Sequence, residues 1–447
     1  MTSNAAAASS RVLTANRPPI WGEALTFGLG GAIAVWIAAF VTHLPGLGLP
    51  APVQGLSLAL ALAIVMVLAG QRARSARAWV VGLWAGLVCA AANCLIFTSL
   101  LGDLKGQGLS GETPVLIAVL FIWCGLTGAA AAALGGRAPL PAHRTRWLAS
   151  LAAVAAAGVL PMLLIGGLVT STESGMAVPD WPTSFGFNMF QLPASQFTQE
   201  RVFLEHSHRL FGTLVGLTFI ALFVSALVSR ASVRECVWAG VLLVLVSAQG
   251  VAGGLRVAEN SAYLGALHGV LGQVFFALAV GYAARLSPVW ASREAGPVPG
   301  KKASMGVLHA TILQLALGAL FRHTGSTHPL WAHVGFSLVV VIFALAAGFA
   351  MAKDPGEGPD AKVRRKIGAG LVAIVTLQWL LGWGALTGAM MGRGRGAIPL
   401  HDQLADAPSV PVWEVLATTS HQFTGAVLLA MAALAVAWTR PRKDAAR

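Results

Sequence analysis

The stretch FLEHSHRLFGTLVGLTFIALFVSALV (203–228) carries its last charge at Arg209 and runs uncharged from Leu210 to Val228. A helix needs about 20 predominantly apolar residues to cross a bilayer. The run is continuous rather than alternating, so it fits a spanning helix and not a barrel strand. Similar runs fill the chain. Spans are read near 22–43, 51–70, 78–101, 114–134, 148–169, 203–228, 235–255, 262–284, 305–321, 329–351, 367–390 and 415–438. The composition agrees, with 56% of the 447 residues hydrophobic and 11% charged, well under the roughly 25% charged typical of soluble domains. The expected fold is an all-α polytopic membrane protein of about 12 transmembrane helices.

Charge sets the expected direction of the spans. The N-terminal tail, 71–77, 135–147, 229–234, 285–304, 352–366 and the C-terminal tail hold 2, 3, 3, 2, 4, 5 and 4 of the 30 Lys and Arg. The others, Lys105, Arg201, Arg209, Arg256, Arg322, Arg393 and Arg395, fall on or near the opposite side. The positive-inside rule then places both termini in the cytoplasm of a multi-pass cell-membrane protein. The formal charge of +13 therefore does not mark a nucleic-acid binder, because it sits in the gaps between spans. The expected surroundings are membrane lipid. Residues 1–20 read as a cytoplasmic tail rather than a cleaved signal. Cys89, Cys94, Cys124 and Cys236 lie in or beside apolar runs without zinc-type spacing, and are expected to be reduced, packed thiols. The long outer segments 170–202 and 391–414 carry Glu173, Asp180, Glu200, Asp402 and Asp406 and can cap a site at the outer face.

The last 300 residues contain an internal repeat. GGLVTSTESG (166–175) leaves span five, LEHSHRLFG (204–212) opens span six, QGVAGGLRV (249–257) closes span seven and NSAYLGALHG (260–269) opens span eight. The order returns in GALFRHTGS (318–326), PLWAHVGFS (329–337), QWLLGWGAL (378–386) and VLATTSHQFTG (415–425). Four spans separate equivalent points, so the repeat is parallel. It predicts two four-helix bundles related by a pseudo-twofold axis along the membrane normal, over 148–290 and 305–440. Residues 1–147 form an additional four-helix module of unassigned role.

Of the 11 histidines, His208, His268, His333 and His421 occupy repeat-equivalent places in the outer part of their spans. An ionisable residue at that depth is a functional candidate. Two imidazoles from different helices can ligate one haem iron from opposite sides. This gives two expected pockets, His208 with His268 and His333 with His421. A single membrane histidine is more often an interhelical hydrogen-bonding group; the repetition argues against that for these four. His43, His143, His309 and His401 read as loop or interfacial residues, and His206, His323 and His328 lie near the pockets. The halves differ one turn before the ligand: Glu205 precedes His208, while Leu330 precedes His333. The first pocket thus has a carboxylate on the ligand's own helix face, the second only ligands. The competing reading of Glu205 is an interfacial carboxylate paired with Arg209 or Arg201.

GGLVTSTESGMAVPDWP (166–182), EHSHRLFGTLVGL (205–217), GGLRV (253–257), NSAYLGALHG (260–269) and RHTG (322–325), followed by His333 and His421, resemble the haem A synthase family of cytochrome oxidase assembly, in its cysteine-free branch. The resemblance covers about residues 150–438. It implies an enzyme that oxidises a ring methyl of haem O to the formyl group of haem A by two successive hydroxylations. It assigns haem b to His333 and His421, substrate haem O to His208 and His268, and the essential acid to Glu205. Arg256 and Arg322, at outer helix ends, suit haem propionates. The expected partners are an electron donor of unknown identity and the haem O-producing enzyme or oxidase assembly factors. Val334 follows His333 where the family commonly has Arg, so His328 stands as the alternative ligand. A two-haem cytochrome b electron carrier and a transporter with proton-relay histidines are the competing functions.

Overall fold

In the computed structural model, residues 19–101, 111–140, 146–291, 293, 298–391 and 407–440 are described. Among them, twelve helices are long and apolar enough to cross a membrane. They are α1 (Ile20–Thr42), α2 (Ala51–Arg72), α3 (Ala78–Leu101), α4 (Thr113–Gly135), α5 (Trp147–Ser171), α6 (Glu200–Val228), α7 (Val233–Ala258), α8 (Ala262–Leu286), α9 (Lys301–Thr324), α10 (Thr327–Ala352), α11 (Pro359–Met391) and α12 (Val412–Trp438). The chain is an all-α polytopic membrane protein. The basic residues Arg393 and Arg395, the acids Asp402 and Asp406, and His143 and His401 fall outside the described residues.

The chain divides into two compact units. The first comprises α1, α2, α3 as far as Cys94, α4, and the start of α5 through Leu151. Helix α4 sits close to two neighbours because small residues line the contacts. A Cβ on Gly70 would lie 1.9 Å from the Ala132 carbonyl oxygen, and one on Gly82 2.2 Å from that of Gly128. Without a hydrophobic drive between helices in lipid, such close backbone packing replaces it. The unit's polar side chains are matched internally. The Trp36 indole N–H donates to Asn93 Oδ1 at 2.9 Å. Glu23 accepts from the Arg74 and Ser75 amides and the Ser75 hydroxyl, closing the α2–α3 turn. No disulfide joins the four cysteines, and Cys89 and Cys124 are buried.

The second unit carries the chain from Ala152 onward. Helices α9 to α12 pack in sequence, and α8 packs on both α9 and α12. The core of this half joins Val307, Val340, Ala344, Leu371, Leu428 and Ala432. Span nine, read as 305–321, runs from Lys301 to Thr324, framed by Gly300 (φ 83°) and Gly325 (φ 67°) in the left-handed region. Left-handed backbone suits glycine because it lacks a Cβ. Arg322 and His323 therefore belong to the last turn of α9 and not to a loop. Helix α11 starts at Pro359, earlier than the 367 read from hydropathy. Its charged first turns fold onto the α10–α11 connection, where Arg364 bridges Asp354 and Asp360 and all three are buried. For Asp354, burial works against the charged form. The Arg364 guanidinium and the Gly356 amide outweigh it and hold the carboxyl below its usual range.

Between α5 and α6 the long connection is built from short turns, including Met189–Gln191 and Ala194–Thr198. Asp180 closes its tightest bend by accepting from the Phe185 and Gly186 amides at 2.6 and 2.8 Å. Burial alone would raise the Asp180 pKa; the Thr183 hydroxyl and those two amides lower it below the normal carboxylate value. Its contribution to ordering the segment is present above that normal value, and is lost as pH falls through the depressed one.

Candidate functional site

Each of the four repeat-equivalent histidines meets a glycine on the preceding helix. A Cβ on Gly166 would lie 2.9 Å from His208 Cε1, on Gly253 3.0 Å from His268 Cε1, on Gly318 2.8 Å from His333 Cε1 and on Gly382 3.2 Å from His421 Cε1. Each imidazole thus packs into a notch at a glycine; at Gly166 and Gly318 a Cβ would force the ring to shift, and at Gly253 and Gly382 it would leave the ring a tight fit. Three of the four notches share one spacing, with Gln249, Gln314 and Gln378 four residues before the glycine; Met162 takes that place before Gly166. The main-chain carbonyl of Gln249 accepts from His268 Nδ1 at 3.1 Å, and that of Gln314 from His333 Nδ1 at 2.9 Å. Gln314 also returns a bond from its amide to the His333 carbonyl. A proton held on Nδ1 in this way leaves the Nε2 lone pair for a metal. At His421 the Gln378 side chain approaches Nε2 at 3.5 Å, and Thr424 holds that glutamine from the other side.

The imidazoles pair as the repeat requires. The ring centres of His208 and His268 are 6.3 Å apart with their planes at 81°, and those of His333 and His421 are 6.0 Å apart at 79°. An imidazole nitrogen lies about 2 Å from a metal it ligates and its ring centre about 1 Å further, so two imidazoles flanking one iron place their centres roughly 6 Å apart. Both pairs match that separation. A haem iron takes its protein ligands from residues such as His, and each pair would offer it two imidazoles. The donor set fits a haem at each pair.

Glu205 is 4% exposed and is not free. Its Oε1 accepts from Arg209 Nη2 at 2.9 Å and its Oε2 from the Val178 amide at 2.8 Å. Arg209 further donates to the carbonyls of Val178, Asp180 and Thr183. The pair therefore ties the α5–α6 connection onto α6, one turn before His208. The pairing with Arg209 foreseen from sequence is present, whereas Arg201 turns away to the carbonyls of Ala407 and Pro408. Leu330, the counterpart of Glu205, is buried and apolar.

Arg256 reaches the rim of the first pocket. A Cβ on Gly175 would strike its guanidinium at 2.2 Å, and it lies within electrostatic range of Glu205. Arg322 donates to the Thr170 carbonyl and stands 4.0 Å from Glu173 Oε1, so it spans from α9 to the exit of α5. His328 is exposed in the first turn of α10. His206 is buried, edge-on to Phe197 at 5.0 Å and 3.4 Å from Ser184 Oγ, so it faces the α5–α6 connection. His43 and His309 are exposed and bond carbonyls of their own helices. The glycine notches and the Gln-x-x-x-Gly spacing were the parts of the site that sequence reasoning missed. The signal was present as a triplicate motif.

The notches make a direct prediction. Gly318→Val drives a side chain into the His333 ring. With a haem at each pair, the purified variant is expected to lose the second and keep the first. Pyridine haemochrome analysis then gives about half the wild-type haem per chain. Full haem content in this variant would contradict the notch.

Helices, repeat and notches together define a polytopic membrane protein with two matched interhelical bis-imidazole sites. A sequence model of the cytochrome oxidase assembly protein family COX15-CtaA matches residues 149–433. The chain belongs to that family. It is also similar to proteins named heme A synthase. With that of Exiguobacterium sibiricum it is 30% identical over 175 residues, 37% of this chain and 56% of the relative. With that of Bradyrhizobium diazoefficiens it is 28% identical over 229 residues, 43% and 61%. With that of Lysinibacillus sphaericus it is 31% identical over 192 residues, 41% and 61%. The chain thus spans about three-fifths of the length of these relatives.

Proposed function

We propose that the protein is a haem A synthase of the cell membrane, converting the ring methyl of haem O to the formyl group of haem A, with both termini in the cytoplasm. The observation that carries this reading is the asymmetry of two otherwise matched sites: Glu205 stands one turn from His208, and Leu330 one turn from His333. Substrate haem O is assigned to His208 and His268, and a resident haem b to His333 and His421. The resident haem, when bound, supplies one-electron redox chemistry between the substrate site and an external electron-transfer partner.

Net conversion of a methyl to an aldehyde adds water and releases four electrons and four protons. Two hydroxylations at one carbon give a geminal diol, which loses water to the formyl group. Positive character develops at the carbon beside the macrocycle as electrons leave. A buried carboxylate in a low-dielectric setting stabilises it, and can accept a proton from the attacking water. Glu205 holds that role. Arg209 and the Val178 amide hold it aimed, and the tied-down segment between α5 and α6 limits water entry. His208 and His268, seated against Gly166 and Gly253, fix the substrate's orientation, His268 held also by the Gln249 carbonyl, and Arg256 offers a cation to its propionates.

Two matched bis-imidazole sites also suit a two-haem electron carrier, but that reading gives Glu205 only its tethering contacts and no chemical task. Chromatography of the haems extracted from the purified protein separates the two. Haem O or haem A beside haem B is the expected result; haem B alone, after expression with haem O supplied, would favour the carrier.

A further inference from the structure

The last turn of α9 places one more imidazole at the first pocket. His323 is 7% exposed, and it faces Gly265 of α8, one turn outward of His268. A Cβ on Gly265 would lie 2.7 Å from His323 Nδ1 and 3.4 Å from Arg256 Nε. An imidazole from the second half and a guanidinium from the first therefore converge on one glycine notch, within electrostatic range of His268. Among the described residues His323 Nδ1 has no hydrogen-bond partner. A buried polar nitrogen without a partner costs free energy and is rarely kept without reason.

The repeat supplies an internal comparison. The counterpart of His323 is Ser171 at the exit of α5. It crosses to α12 and meets the Thr418 and Thr419 hydroxyls at 2.9 and 3.0 Å, beside His421. Each half thus sends the end of its first helix to the rim of the other half's pocket. The arm at the second pocket ends in a hydroxyl cluster satisfied within the protein. The arm at the first ends in an unsatisfied nitrogen beside a cation.

We propose that His323, with Arg256, receives a propionate carboxylate of the porphyrin held between His208 and His268, so that the substrate is gripped by both halves. This rests on the haem reading above. A carboxylate supplies the missing acceptor for Nδ1 and the counter-charge for Arg256 at once. Such a contact belongs to the substrate site alone, since Ser171 offers no equivalent at the resident site.

The test uses the full-length protein purified with its second site filled. Its first site is titrated, by the Soret band, with iron protoporphyrin IX and with the dimethyl ester of the same porphyrin. A hydrogen bond to a charged group is worth roughly 10- to 100-fold in affinity. The wild type is expected to prefer the free acid, and His323→Leu to lower that preference by about that factor with ester binding unchanged. His323→Gln, which keeps a donor, retains part of the preference. Gly265→Ala, which displaces the ring without removing it, matches His323→Leu and guards against a folding defect peculiar to one substitution. A preference unchanged in both His323→Leu and Gly265→Ala, or a wild type that does not discriminate, overturns the assignment. A wild type whose first site takes neither porphyrin refutes the haem reading itself.

Discussion

Glu205→Gln is expected to lower haem A formation by about 10²- to 10⁴-fold while the protein keeps its haems. The size follows from what the substitution removes. The charge goes, and with it the stabilisation of a cation developing in a water-poor site and the base that accepts a proton. Glu205 also has a structural task, because its two oxygens accept from Arg209 and the Val178 amide. An amide keeps one of those acceptors and turns its NH2 toward the other donor, which costs about 1–3 kcal/mol of local order. The structural contribution is isolated by Glu205→Leu, which copies the residue at the second site and removes both acceptors. If Glu205 mainly tethers the outer segment, Gln retains much of the activity and Leu loses it. If the charge is what matters, Gln falls nearly as far as Leu. Product per bound haem, with limited proteolysis of 176–199 as the measure of tethering, distinguishes the cases. Near-wild-type turnover in Glu205→Gln would remove the carboxylate from the mechanism.

The twelve spans were legible because hydropathy and charge are written directly into the chain, and a bilayer offers the backbone few other options. Their ends were less so. The ninth span extends to Lys301 and Thr324 because left-handed glycines, and not polarity, stop it. The eleventh starts at Pro359 because Asp360 and Arg364 satisfy one another and Asp354 in a buried cluster, which a count of charges reads as loop. The histidine pairs were readable because the repeat brought four of 11 histidines into register. The glycines that seat them were not, because the chain has 51 glycines and a notch is a property of two helices at once. Arg209 shows the same limit. Its spacing from Glu205 announces an ion pair, but the carbonyls of Val178, Asp180 and Thr183 become its partners only when the outer segment folds back.

His333→Ala is expected to remove the resident haem and stop turnover, with the first site still binding porphyrin, whereas His328→Ala leaves both haem content and activity within about twofold of wild type. The two residues are five positions apart on α10. At about 100° per residue they point some 140° apart around the helix, so one cannot substitute for the other. His328 is exposed at the helix start. His333 lies in the Gly318 notch, donates to the Gln314 carbonyl and faces His421 at 6.0 Å. Val334, where the family commonly carries Arg, leaves this geometry unaltered, because the ring is seated by α9 and not by its chain neighbour. A haem held between His333 and His421 would keep one protein ligand in the variant and would lose most of its retention and its bis-imidazole spectrum. The purified variants are compared by reduced-minus-oxidised spectra and by haem per chain. A bis-imidazole spectrum that survives in His333→Ala and disappears in His328→Ala would move the ligand to the head of α10 and break the correspondence between the two halves.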